Sequence, residues 1–124
     1  MRRSTKVIAS LALAAPAFLA TPLLTARPVA AKAAPHYVEH AAIKGFAFSP
    51  KTLTIKPGTT VVWTQKDQAP HTVTSNTGAW VASPDLMPGQ TFSHTFTKTG
   101  TFAYHCAVHP GMTATVIVSR NAKS

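Results

Sequence analysis

The segment YHCAVHPGM, residues 104 to 112, brings the only cysteine of the chain, Cys106, close to His109 and Met112, each three residues from the last. A thiolate, an imidazole and a thioether are all metal donors. In an extended strand, residues three apart point to opposite faces, so only a tight loop lets the three converge. Pro110 fixes φ near −65° and Gly111 permits left-handed dihedrals, the residue types such a loop uses. A further donor must come from elsewhere in the chain, and His71, which follows Pro70 and opens HTVTS, is the best placed. One thiolate and two imidazoles in a plane with a weak axial thioether select copper. Zinc prefers further thiolates, a carboxylate or water, and calcium or magnesium want oxygen. His71, Cys106, His109 and Met112 therefore predict a mononuclear copper site. Such a donor set serves Cu(I) and Cu(II) with little rearrangement, as one-electron transfer requires. A c-type haem needs two cysteines, and a structural zinc finger two ligand pairs, so both are excluded. Blander readings stand beside this one. Cys106 alone could be a buried structural thiol. A Cys106/His109 nucleophilic dyad is conceivable, but no orienting carboxylate or oxyanion loop is evident. Met112 could simply pack in the core, leaving copper with three ligands or another axial group.

The elements that must hold these side chains read as short strands. Ile43 to Phe48 predicts one, with Phe46 and Phe48 on one face. Leu53 and Ile55 alternate in TLTIK, and Lys56-Pro57-Gly58-Thr59 signals a turn. TTVVWTQ, HTVTS, QTFSHTFT, TFAYHC and TATVIVS continue the pattern, rich in β-branched and aromatic residues. No helical period is evident. Asn76 to Gly89 is expected to be loop with one irregular strand. The expected fold is all-β, an antiparallel Greek-key β-sandwich of about seven to eight strands. Within TFAYHC, a period of two puts Phe102, Tyr104 and Cys106 on the core face and His105 on the other. His94 alternates with Phe92 and Phe96 and is expected to be a hydrogen-bonded core histidine. His36 and His40 are expected to be flexible surface residues, and Trp63 and Trp80 to be packing.

Composition bounds the rest. A basic start, MRRSTK, an apolar run from Val7 to Leu24 and the small-x-small Ala31-Lys32-Ala33 predict a secretory signal over residues 1–33, with the functional domain over 34–124. Arg2-Arg3 hints at twin-arginine export, although Thr5 and Lys6 stand where that signal prefers apolar residues. Of the twelve basic residues, five lie in 1–33, leaving seven against three acidic ones. The remaining lysines are dispersed, which argues against nucleic-acid binding. A lone cysteine forbids an internal disulfide, so stability must come from packing, to which a metal can add. The location implied is periplasmic or otherwise extracytoplasmic.

His71, then YHCxxHPxM, with FSPKTLTIKPGTTVVW upstream, resembles the cupredoxin family of type 1 blue copper proteins, and is most similar to its small amicyanin- and plastocyanin-like members. The resemblance covers about residues 38 to 119. It implies a type 1 copper bound by His71, Cys106, His109 and Met112, and service as a monomeric one-electron carrier, not an enzyme, between a donor and an acceptor redox protein. The alternative is a copper-delivery protein whose redox chemistry is incidental. Two positions depart from the pattern. Gln65 in WTQKD stands where Asn is usual, and Ala107 where Ser or Thr often follows the cysteine, so the hydrogen bonds around the site are expected to differ. Ala69, Pro70, Met87, Pro88, Pro110 and Gly111 are expected to form an apolar collar around His109, where a partner would dock.

Overall fold

Alternation decides the strands. In TTVVWTQ, Thr59, Val61, Trp63 and Gln65 are buried while Thr60, Val62 and Thr64 are only half-buried. TATVIV repeats the scheme, with Ala114, Val116 and Val118 turned inward. Each buried valine contributes about 1.5–3 kcal/mol of hydrophobic stabilisation, which a one-residue slip of register would forfeit. The computed structural model describes residues 35–123 together with Pro16, Ala17 and Pro22. The predicted export segment, 1–33, otherwise lies outside the described residues, among which no helix is long and apolar enough to cross a membrane.

Among the described residues eight strands follow in chain order: β1 Val38–Ile43, β2 Phe48–Ser49, β3 Thr52–Ile55, β4 Thr59–Gln65, β5 Thr74–Ser75, β6 Thr91–Phe96, β7 Gly100–His105 and β8 Thr113–Val118. They form two four-stranded sheets, ordered β2-β1-β4-β6 and β3-β8-β7-β5, so the fold is the expected all-β sandwich. Between the sheets Trp63 is fully buried and its Nε1–H donates to the Tyr104 hydroxyl at 3.1 Å. Burial pushes the Tyr104 phenol above its ordinary range. Trp80 stacks on Trp63 with ring centroids 6.3 Å apart. Both tryptophans are core packing, as expected.

Several sequence expectations need correcting. Not every pair is antiparallel: β1 runs parallel to β4 in register Val38↔Thr60, and β3 parallel to β8 in register Thr52↔Thr115. β2 descends antiparallel to β1, and the chain crosses to the other sheet as β3 before β4 rises beside β1. Ile43 to Phe48 is not one strand. β1 ends at Ile43, a turn closed by Lys44 N–H to Ala47 O at 3.0 Å follows, and Phe46 leaves the core at φ 55°. β1 therefore begins earlier and includes His40, which is exposed but set in a strand, while exposed His36 lies 3.4 Å from the Thr60 hydroxyl. His94 is half-buried against the rings of Trp80 and Phe96, and among the described residues its ring meets aromatic neighbours and no hydrogen-bond partner. The HTVTS strand is reduced to Thr74–Ser75. In Asn76–Gly89 the one ladder contact is Leu86 opposite His71.

Candidate metal centre

Two segments meet at one end of the sandwich. The first is the connection from β7 to β8. Antiparallel pairing of these strands runs to His105↔Thr113 and is prolonged by one bond, from Cys106 N–H to Met112 O at 3.0 Å. Cys106 and Met112 thus form the neck of a five-residue loop. His109-Pro110-Gly111-Met112 closes as a turn, with Met112 N–H donating to His109 O at 3.0 Å. Proline pre-sets the second position of this turn. Gly111, by contrast, does not use left-handed backbone, and a Cβ there would meet nothing within 4 Å, so the freedom expected of this glycine is not what shapes the loop. Period-two alternation carries Cys106 inward behind Tyr104 as expected, and His105 turns the other way to meet Asn76.

The second segment runs from the end of β4 to His71. Gln65, fully buried, holds it together. Its Nε2 donates to Ala69 O at 2.7 Å and Leu86 O at 3.0 Å, and its Oε1 accepts from Asp67 N–H. His71 is pinned by paired backbone bonds with Leu86, at 3.1 and 2.7 Å. The side-chain amide at this departure from the family pattern organises the His71 loop and does not reach the cysteine loop. The tie between loops is Thr72. Its hydroxyl accepts the Ala107 N–H at 2.8 Å, and its own N–H points at Cys106 Sγ at 3.3 Å. Any residue serves as the N–H donor at position 107, so Ala107 loses nothing here.

His71, Cys106 and His109 converge. Their donor atoms all lie within 4.8 Å of one another, with Cys106 Sγ 3.7 Å from His71 Nδ1 and 3.8 Å from His109 Nδ1. Bonds of about 2.0 Å to nitrogen and 2.3 Å to sulfur at trigonal angles put such a pair about 3.7 Å apart, so the spacing fits one ion between them. Cys106 and His71 are fully buried, Met112 is 5% exposed and His109 is half-buried. No disulfide or second thiol competes for Cys106.

Asp67 and Thr72 are functional positions that sequence reading missed. Asp67 Oδ2 sits 2.9 Å from His71 Nε2 and accepts the Phe46 N–H at 2.8 Å, and Oδ1 accepts the Gly45 N–H at 2.7 Å. A proton held on Nε2 by this carboxylate leaves the Nδ1 lone pair facing Cys106, as metal-ligating histidines require. The backbone N–H of Phe46, with help from those of Gly45 and His71's ring, holds the Asp67 carboxyl below the usual carboxylate range against the opposing effect of partial burial. The signal available was slight: Asp67 is one of only three acidic residues after residue 33, and it precedes His71 by four.

Residues 35–119 match the family model of copper binding proteins, plastocyanin/azurin family. The chain belongs to that family. Amicyanin of Paracoccus denitrificans is 39% identical over 70 residues, which cover 53% of this chain and 53% of that protein, so the match spans about half the relative's length. Amicyanin-alpha of Methylorubrum extorquens is 35% identical over 107 residues, 82% of this chain and 90% of the relative. Among solved structures, a methionine-to-alanine variant of amicyanin with Cu(I) superposes with TM-score 0.63 at 30% identity, covering 66% of this chain and 82% of that one. A purple cupredoxin from Nitrosopumilus maritimus gives TM-score 0.60 at 33% identity, covering 65% and 99%. The molecule is thus a small cupredoxin electron carrier, and His71, Cys106 and His109 stand in the arrangement of a type 1 copper site, with buried Met112 at the neck of the loop that carries two of them.

Proposed function

We propose that this cupredoxin is exported, matures to residues 34–124, and shuttles single electrons between a donor and an acceptor protein outside the cytoplasm, without being an enzyme itself. His71 Nδ1, Cys106 Sγ, His109 Nδ1 and the Met112 sulfur would hold the copper. The observation that carries this reading is the buried Cys106 sulfur placed between two imidazole nitrogens at 3.7 and 3.8 Å. Bound copper supplies a one-electron couple. The protein's own residues do the rest: Asp67 fixes the His71 tautomer, the Thr72 N–H stabilises negative charge on the sulfur, and the interlocked loops keep the donors in place. Burial of Cys106 and His71 favours retention of the ion over its delivery to another protein.

Docking is assigned to the apolar surface around half-buried His109. Met87 is 48% exposed, Pro88, Pro110 and Gly111 are exposed, and Ala69 and Pro70 are half-buried. Phe46, 55% exposed and packed on the His109 ring, and Val108, 43% exposed beside it in the chain, extend the collar. Small apolar interfaces suit brief redox encounters, and the monomer is the working unit. Adding Cu(II) to the purified protein should give intense visible absorption and the narrow copper hyperfine pattern of a thiolate site, both abolished by Cys106→Ser. A colourless protein that prefers zinc would refute the assignment. Reversible voltammetry without metal loss supports shuttling, whereas copper transfer to an acceptor on each cycle supports delivery. The mass of the protein recovered from the cell envelope tests the boundary at residue 34.

A further inference from the structure

Phe46 occupies a conformation and an environment that neither local propensity nor the hydrophobic effect selects. Its φ of 55° is left-handed backbone, disfavoured for any residue with a Cβ. The residue is 55% exposed, while Phe48, two residues on, is buried. Asp67 holds it there. The two carboxylate oxygens take the N–H groups of Gly45 and Phe46, and the oxygen bonded to Phe46 also faces His71 Nε2. The phenyl ring then stands nearly perpendicular to both imidazoles, at 87° to His71 and 86° to His109. The three ring centroids form a triangle with sides of 5.4, 5.0 and 4.8 Å. His71 has a ring-nitrogen anchor in Asp67. Among the described residues His109 has no such anchor, and its ring is oriented by packing against Phe46 and His71.

We propose that Phe46 is a positioning residue for the metal site, an aromatic cap clamped by Asp67 that holds the His109 imidazole on the side of Cys106 and slows the escape of the bound ion. The inference rests on the copper reading of the site. Edge-to-face ring contacts are favourable beyond their buried area, and here two of them converge on the ligand rings from the solvent side. One carboxylate thus fixes both an inner ligand and the cover over the outer one. Removing the ring leaves His109 free to swing outward, which opens a path for water and for a competing chelator.

The test follows bleaching of the visible band when the Cu(II)-loaded protein meets excess EDTA. Phe46→Ala and Asp67→Asn should each lose copper about tenfold faster than the parent, the scale typical of residues that orient ligands. Phe46→Tyr, which keeps the ring, should stay within twofold, as should Val38→Ala on the far half of β1. In the metal-free protein, NMR couplings and cross-relaxation should show one His109 rotamer in the parent and averaging in Phe46→Ala. Copper loss from Phe46→Ala within twofold of the parent, with His109 equally ordered, overturns the cap. Should Phe46→Ala fail to fold, Phe46→Leu takes its place with the same two outcomes. A parent protein that binds no copper through Cys106 defeats the copper reading itself, and the metal-free NMR still decides whether Phe46 orders His109.

Discussion

Gln65→Met asks whether one buried amide organises the loop that carries His71. Methionine matches glutamine in length and volume, so the substitution removes hydrogen bonds without opening a large cavity. Three are lost: those to Ala69 O, to Leu86 O and from Asp67 N–H. Leu86 O keeps the His71 N–H, and Ala69 and Asp67 are half-buried, within reach of water. A net value of about 1 kcal/mol per bond, less about 1 kcal/mol for the greater hydrophobicity of methionine, gives a loss of about 2 kcal/mol. For a domain of this size that is a fall in Tm of about 8–16 °C. Urea unfolding of the metal-free protein should show the midpoint moved with the slope unchanged. Copper affinity should fall as well, by about tenfold, because the loop that presents His71 and Asp67 loses its internal brace. A variant within about 0.5 kcal/mol of the parent that holds copper as tightly would show that the paired backbone bonds of His71 and Leu86 suffice, and that the amide is incidental.

Other consequences can be checked singly. Tyr104→Phe strands the buried Trp63 N–H and should cost about 1–3 kcal/mol in the same urea assay; a neutral result would deny that bond any weight. Gly111→Ala should be within about 0.5 kcal/mol of the parent, whereas Gly89→Ala, at φ 83° in the turn closed by Gln90 N–H on Met87 O, should cost about 1 kcal/mol. Equal costs would contradict the backbone assignment. Burial among aromatic rings holds the His94 imidazole below its ordinary value of 6.5. The neutral ring is therefore favoured in the folded state, so its contribution is intact above 6.5 and fades as pH falls through the lower folded value. An NMR titration midpoint at or above 6.5 would refute this, and His94→Phe should flatten that part of the pH profile. Met87→Lys should leave the visible spectrum unchanged yet slow electron self-exchange about tenfold, by setting like charges face to face; an unchanged rate removes Met87 from the contact surface.

The legible parts of the molecule were those governed by local period and donor chemistry. Strand β4 announced itself through Val61, Trp63 and the turn at Gly58, and the loop from Cys106 to Met112 through its residue types alone. What escaped depends on partners far away in the chain. Phe46 looked like a strand residue because its neighbours alternate. The carboxylate that pulls it out of register lies 21 residues later, and no window along the sequence contains both. The start of β1 was hidden because Val38, Glu39 and His40 are all exposed and show no alternation. Thr72 read as one more β-former in HTVTS, yet its hydroxyl is spent on Ala107. The parallel pairs β1/β4 and β3/β8 arise from the order in which strands change sheets, which composition does not record.

The register of β3 against β8 also sets an order of events during biosynthesis. Among the described strands β8 is the last to leave the ribosome, yet it lies in the interior of its sheet, between β3 and β7. Thr52 to Ile55 have no lasting neighbour until Thr115 to Val118 exist, and such distant pairings close slowly. The β3 edge of this sheet therefore stays open until β8 has been made. Under the export proposed above, an open chain is the form that threading through a membrane pore requires.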